Sequence, residues 1–181
     1  MKIKNWEIIE EANGGAKLPA GGYVAKITGV DDVESKEYLW IEYDIAEGEH
    51  TGHFDDDFAA AHPYIHRFSR SYKDTALGFF KTFLVALEKS NTTFDIADWE
   101  TQSDEQQFIG QLIGIVLGTE KYTNTKGEDK ERLNVVQILP AQDIRDGRFK
   151  VPPVEDNRET IPDVVTTSIA HDAYGTSEIP F

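Results

Sequence analysis

Basic and aromatic residues alternate through residues 62–81, where the local charge has the opposite sign to that of the whole chain. Four cations face one acid there, a local charge of +3 in a chain of net charge −15. Single-stranded nucleic acid is bound by cations that follow its phosphates and by rings that stack on its bases. We therefore predict that this segment contacts such a strand; the alternative is a solvated loop anchored by its aromatic residues. The predicted contacts are Tyr64, Arg67, Arg70, Tyr72 and Lys73.

A second candidate surface is the polar side of a predicted strand over residues 38–46. Its apolar residues alternate regularly and are Leu39, Ile41, Tyr43 and Ile45. Tyr38 and Trp40 fall on the opposite face. Two large rings exposed to solvent on one face usually mark an interaction surface. They either form a platform that binds nucleic acid, together with Lys26 of the preceding strand, or are covered by the following connection or by a partner subunit.

The last predicted hairpin carries equal numbers of cations and acids. The candidate contacts around its loop are Lys121, Tyr122, Lys126, Lys130 and Arg132. Four acids offset the four cations, namely Glu120, Glu128, Asp129 and Glu131. The hairpin is therefore either an additional contact for nucleic acid or simply a soluble hairpin.

Acidic and histidine side chains around residues 53–66 raise the alternative of a metal-dependent enzyme. His62 and His66 would share one side of a helix, but Pro63 opposes a regular helix through them. A metal also needs convergent ligands rather than merely nearby ones. The chain has no glycine-rich phosphate loop, no nucleophile elbow and no cysteine. We expect no catalysed reaction, no metal and no cofactor.

The composition limits the classes of partner. The net charge of −15 opposes general attraction to DNA or to an anionic membrane, so any nucleic-acid site must be a local patch. The apolar runs are far shorter than the roughly 20 residues that a membrane helix needs. With 10 Phe, 7 Tyr and 3 Trp, the chain can form a core, and without cysteine it suits the reducing cytoplasm. We expect a cytoplasmic protein with no membrane partner.

The elements that must position these residues are predicted to be five strands and one helix. Gly21–Gly22 opens the first strand, and Asp74 is a candidate helix N-cap. The predicted strands cover residues 23–30, 38–46, 51–54, 112–122 and 133–139, and the predicted helix covers residues 75–88. Leu77, Phe80, Leu84 and Leu87 have helical spacing, so we expect that face of the helix to pack on the sheet. Strand-strand-strand-helix-strand-strand is the chain order of a five-stranded OB-fold barrel, an all-β class with one helix. The alternative is an α+β sheet covered by one helix.

The chain is predicted to divide at about residue 150. Residues 1–150 form the nucleic-acid-binding domain, in which residues 2–11 suit either an edge strand or a short helix. Residues 151–181 contain six acids, one base and four prolines, which predicts a flexible acidic tail. Its apolar tip suits a pocket on another protein. The tip consists of Glu178, Ile179, Pro180 and Phe181.

Several stretches resemble a family of small proteins encoded by phages and conjugative elements of Gram-positive bacteria. The resemblance covers most of residues 20–153, and its principal runs are residues 21–23, 42–48, 71–81, 122–127 and 149–152. It implies an OB-fold single-stranded DNA-binding protein. The tip separately resembles the acidic C-terminal tip of bacterial single-stranded DNA-binding proteins, with Glu178 in place of an aspartate and without the preceding acidic run.

Together these features predict a protein that coats single-stranded DNA without sequence preference during replication or recombination of a phage or mobile element. Its tip would recruit replication, recombination or repair proteins. A homo-oligomer is compatible with this role. The alternative is an acidic interaction module or DNA mimic that inhibits a host nucleic-acid enzyme.

Overall fold

The computed structural model describes residues 18–158, in which six strands form one mostly antiparallel sheet. The order of the main strands is β3-β2-β1-β4-β5, and β6 lies parallel to β4. The strands are β1 (Gly21–Val33), β2 (Tyr38–Ile45), β3 (Arg67–Ser71), β4 (Leu112–Thr123), β5 (Asp129–Leu139) and β6 (Glu155–Asn157). Residues 2–11 and the predicted tip at Glu178–Phe181 lie outside the described residues.

Within residues 18–158 four α-helices accompany the sheet, whereas one was predicted. They are α1 (Asp57–Ala61), α2 (Leu77–Ser90), α3 (Ile96–Gln102) and α4 (Ala141–Arg145). The predicted helix is confirmed as α2, but Asp74 begins a 3-10 turn before it and is not its cap. The three additional helices have only five to seven residues, so their apolar residues show too little helical periodicity to be recognised in the sequence. Within residues 18–158 no helix has the length and apolarity to cross a membrane.

The third strand lies outside its predicted position. Residues 51–54 form turns, and β3 occupies Arg67–Ser71, within what was predicted to be a long connection. Phe68 is its one buried residue and pairs with Ile41 of β2. A single buried residue among polar ones gives almost no alternation, so the local pattern could not identify this strand.

The sheet is open, and the predicted closure into a barrel is therefore wrong. Within residues 18–158, β3 and β5 are the outer strands of the five-strand path, and no pairing joins them. The β-rich class and the predicted chain order of five strands around α2 are nevertheless found. Residues of α2 pack against one face of this open sheet.

The main core lies between this face of the sheet and α2. The alternation predicted for β2 is confirmed, since Leu39, Ile41, Tyr43 and Ile45 are all buried. On α2 the buried residues are Phe80, Phe83, Leu84, Ala86 and Leu87. Leu77, predicted to pack with them, is 47 % exposed because it lies at the first residue of the helix. The polar side of β2 is thus left facing away from this core.

A smaller core lies on the other side of β1 and β4, beneath α4. Val24 and Val116 pack there against Ile144. Gly114 permits this close approach, because a Cβ atom at that position would lie 2.7 Å from Ile144 and 2.8 Å from the Leu139 carbonyl oxygen. This second core covers only part of that side of the sheet and includes neither Tyr38 nor Trp40.

The chain beyond residue 150, predicted as tail, initially continues along the sheet. The carboxylate of Glu120 accepts hydrogen bonds from Arg132 at 2.7 and 3.2 Å, from Asn157 at 3.1 Å and from Asn134. Asn157 belongs to β6, so this carboxylate joins β4 and β5 to the last described strand. Arg132 above all, with the two amides, lowers the pKa of Glu120 to about 2 against the effect of burial.

Glu120→Gln is expected to destabilise the protein by about 2 kcal/mol at neutral pH, the range for hydrogen bonds to a charged group. The folded pKa lies below the unfolded value of about 4.3, so this stability is present above that value and is lost as the pH falls towards about 2. Urea unfolding between neutral pH and pH 3 measures it. The stability of Glu120→Gln should fall less steeply with acid than that of the exposed control Glu155→Gln; parallel curves would contradict the assignment.

Candidate nucleic-acid interface

Two aromatic rings and one guanidinium group form a compact cluster on the side of β2 and β3 opposite the main core. The rings of Tyr38 and Trp40 meet edge to face, with centroids 5.4 Å apart at 87°. The guanidinium carbon of Arg67 lies 4.2 Å from the centroid of the Trp40 ring. We call these three residues the ring platform. It offers π faces and a cation at one place, the combination that binds unpaired bases and their phosphates.

Strand register explains why the platform forms. Trp40 is paired with Ser69 of β3, so both side chains lie on one side of the sheet, and two residues along the strand Glu42 is paired with Arg67. The small Ser69 leaves the space above β3 open for the Arg67 side chain to cross onto the Trp40 ring. Tyr38 and Trp40 are half-buried and belong to neither core.

Other charges on this side restrict where a strand of nucleic acid could lie. Asp31 of β1 is paired with Trp40, and Glu42 is next to the platform in β2. Lys26 is exposed on β1 in register with Asp44, whose carboxylate is occupied by the backbone amides of Ile45 and Phe54. The carboxylates of Asp31 and Glu42 would repel phosphates. A strand of nucleic acid on this side of the sheet would therefore lie towards the β3 edge. The sequence pattern did not indicate these neighbouring acids.

Arg70 and Tyr72, predicted to join the same surface, lie on the other side of β3. Arg70 is paired with Leu39, and its guanidinium group lies 4.9 Å from the Phe68 ring and donates to the Ser69 carbonyl at 2.8 Å. Burial lowers the pKa of Arg70. The Tyr72 hydroxyl donates to Asp32 at 2.8 Å, turning the ring away from Trp40. Arg70 can therefore contribute its charge at the strand edge, but Tyr72 contributes no stacking surface to the platform.

Tyr64 and Lys73 lie at the two ends of β3. Tyr64 is 63 % exposed in a 3-10 turn, and its ring meets that of His62 at 5.7 Å. Lys73 is exposed just beyond the C-terminal end of β3. A strand of nucleic acid that follows the β3 edge passes both residues. They add one exposed ring and one exposed cation near the two ends of β3.

The last hairpin neutralises most of its own cations. Arg132 is paired with Glu120 and covers the Tyr122 ring at 4.8 Å. Lys121 lies 3.6 Å from Glu131, and Lys130 lies 3.2 Å from Glu128. Lys126, at the turn, has no ion pair within residues 18–158. The hairpin therefore offers one uncompensated cation rather than four.

Within residues 18–158, the cations in and just after β3, unlike most of those in the hairpin, form no internal ion pair. In the part of the chain that the structure describes, no salt bridge involves Arg67, Arg70 or Lys73. Their charge is therefore available to an external anion, without first breaking an internal ion pair. This places the strongest attraction for phosphate beside the ring platform.

The histidine and acidic residues considered for a metal have structural partners. The Asp56 carboxylate caps α1 by accepting from the Ala59 amide at 2.6 Å. His66 is buried, with its ring nitrogens 2.9 Å from the Tyr43 carbonyl oxygen and 3.3 Å from that of Ala59. His62 stacks on Phe58 at 4.2 Å. The His66 contacts hold α1 against β2. Residues 18–158 contain no group of three potential ligands that could hold a metal.

Comparison with known proteins gives no match, either to a family model or to a curated protein. Function must therefore be inferred from the residues and their arrangement. The arrangement that stands out chemically is the ring platform beside the uncompensated cations of β3.

Proposed function

We propose that this protein binds single-stranded DNA without sequence preference through the ring platform and the β3 edge, and that it catalyses no reaction. The observation that carries the proposal is the contact group of Tyr38, Trp40 and Arg67 on the side of β2 opposite the core. Every base has a π face, so stacking on such rings tolerates any sequence. An unpaired strand is favoured over a duplex because only unpaired bases can reach the rings.

The charge distribution supports local rather than general attraction. The chain as a whole is strongly acidic, with a net charge of −15, and repels a polyanion at long range. Arg67, Arg70 and Lys73 form the uncompensated group along β3. Binding should therefore involve few phosphates and depend on stacking for much of its free energy.

The sheet order also supports an OB-fold origin. An OB-fold barrel opened between its third and fifth strands would have the order β3-β2-β1-β4-β5, with a helix between β3 and β4. In OB-folds the surface of the second and third strands binds oligonucleotides, which is where the ring platform lies. Together with the resemblance to phage and conjugative-element proteins, this favours a role in replication or recombination of a mobile element. Partner recruitment by the tip at Glu178–Phe181 belongs to the same proposal.

Titration with oligo-dT is expected to quench tryptophan fluorescence, because Trp40 stacks on a base. With three phosphates contacted, log K should fall with log salt concentration at a slope of about −2, since single strands give about −0.7 per phosphate. Duplex DNA of the same length is the control and should bind much more weakly. Binding that does not change with salt would contradict the role of the β3 cations. Absence of binding would favour the acidic inhibitor instead.

Removing residues 159–181 is expected to raise affinity for oligo-dT severalfold at low salt. This segment contains four acids and no lysine or arginine, and its covalent attachment gives those charges a high effective concentration around the domain. The gain should vanish near 1 M salt, where the screening length falls to about 3 Å. Parallel titrations of the full-length and shortened chains measure the difference. A loss of affinity would show that these residues contribute to the DNA site or to folding.

A further inference from the structure

A second concave surface lies away from the ring platform, between α2, α3 and the end of β1. It is a groove of about 660 Å³ whose floor is apolar. The floor residues are Leu39, Tyr72, Phe80, Leu84, Ile96 and Trp99. Its volume falls within the range of ligand sites, and its apolar lining suits hydrophobic side chains. The groove is also where the Tyr72 ring lies, instead of beside Trp40.

The rim of this groove is acidic. Asp32, Glu34, Glu100 and Glu105 line it, with Lys81 as the opposing charge. No salt bridge within residues 18–158 involves any of the four acids, whereas Glu120, Glu47 and Asp143 are each paired with an arginine elsewhere on the fold. The groove therefore combines an apolar floor with four carboxylates that form no ion pair within residues 18–158 and outnumber the single lysine beside them.

The raised pKa of the Tyr72 hydroxyl is consistent with the negative charge around this groove. Burial, the hydrogen bond to Asp32 and the neighbouring carboxylates of Glu34 and Glu37 raise the pKa of Tyr72 to about 12. Leu77, on the first turn of α2, also lines the groove and is 47 % exposed. Exposed apolar side chains beside a groove are typical of an interaction surface.

We propose that this groove binds a short segment of another protein that carries apolar side chains flanked by arginine or lysine. Apolar side chains would displace water from the floor formed by Phe80 and Trp99, and the flanking cations would face the acidic rim. DNA does not fit this surface, because its phosphates would meet four uncompensated carboxylates. The groove shares no residue with the ring platform, so this interaction does not depend on DNA binding.

The test uses a fluorescein-labelled synthetic peptide composed of leucine and arginine, with binding followed by anisotropy. Two companion peptides replace every leucine by serine or every arginine by glutamate. The intact chain should bind the leucine–arginine peptide about tenfold more tightly than the serine peptide, and should not bind the glutamate peptide. Equal affinity for the leucine and serine peptides would overturn the proposal, because attraction would then be due to net charge alone.

Three variants of the full chain locate the site. Glu100→Lys with Glu105→Lys reverses two rim charges and should weaken binding about tenfold, as like charges meet across the rim. Asp55→Lys with Glu155→Lys makes the same change in net charge outside the groove and should have little effect. Leu77→Ser removes apolar surface without changing charge and should also weaken binding. Similar affinities of the two charge-reversed variants, or an unchanged affinity of Leu77→Ser, would exclude the groove as the site.

Discussion

Trp40→Ala is expected to weaken binding of oligo-dT by about 5- to 150-fold, the equivalent of about 1–3 kcal/mol for one lost base stack. The same substitution should change the free energy of unfolding little, because Trp40 lies outside both cores. Its main neighbours, Tyr38 and Arg67, are themselves on the surface of the sheet. The effect should therefore appear in binding rather than in folding.

Anisotropy of a labelled oligonucleotide is the appropriate measurement, since removing Trp40 also removes the quenching signal. Trp40→Phe is the matched control, because it keeps a ring for stacking and should retain most of the affinity. Arg67→Ala should weaken binding and also reduce the salt slope by about 0.7, as one phosphate contact is lost. Unchanged binding by Trp40→Ala would exclude the ring platform as the DNA site.

Ile41→Ala, one residue further along β2, is expected to have the opposite consequence. Ile41 is fully buried in the main core, and its strand pairs with both β1 and β3. Truncating a buried isoleucine to alanine removes apolar contacts and leaves a cavity, at a cost of about 2–5 kcal/mol. The folded fraction of Ile41→Ala should still bind oligo-dT normally, because the ring platform is unchanged.

Urea unfolding of Ile41→Ala, Trp40→Ala and the wild-type chain measures this contrast. Thr28→Ala provides a control on the exposed side of β1 and should alter stability by less than about 0.5 kcal/mol. If Trp40→Ala unfolded the protein while Ile41→Ala did not, the faces of β2 would be assigned the wrong way round. A loss of affinity in Trp40→Ala and a loss of stability in Ile41→Ala would instead show that one face of β2 serves binding and the other serves folding.

Local periodicity accounts for the parts of the structure that the sequence predicted. Alternation in β2 fixed which residues are buried, because successive side chains of a strand must point to opposite faces. The helical spacing of Phe80, Leu84 and Leu87 placed α2 correctly for the same reason. The pattern also indicated that Tyr38 and Trp40 would face away from the core. These properties depend on neighbours along the chain, so the sequence by itself determined them.

Tertiary structure alone decided how distant residues combine. Only pairing with β2 makes a strand of Arg67–Ser71, and that register brings Arg67 onto Trp40 while turning Tyr72 towards Asp32. Likewise, the β4–β5 register places Arg132 opposite Glu120 and Lys121 opposite Glu131, so these hairpin cations are neutralised. That the sheet stays open is also decided by which strands pair with each other. Such outcomes depend on distances between residues far apart in the chain, and local sequence patterns contain no information about those distances.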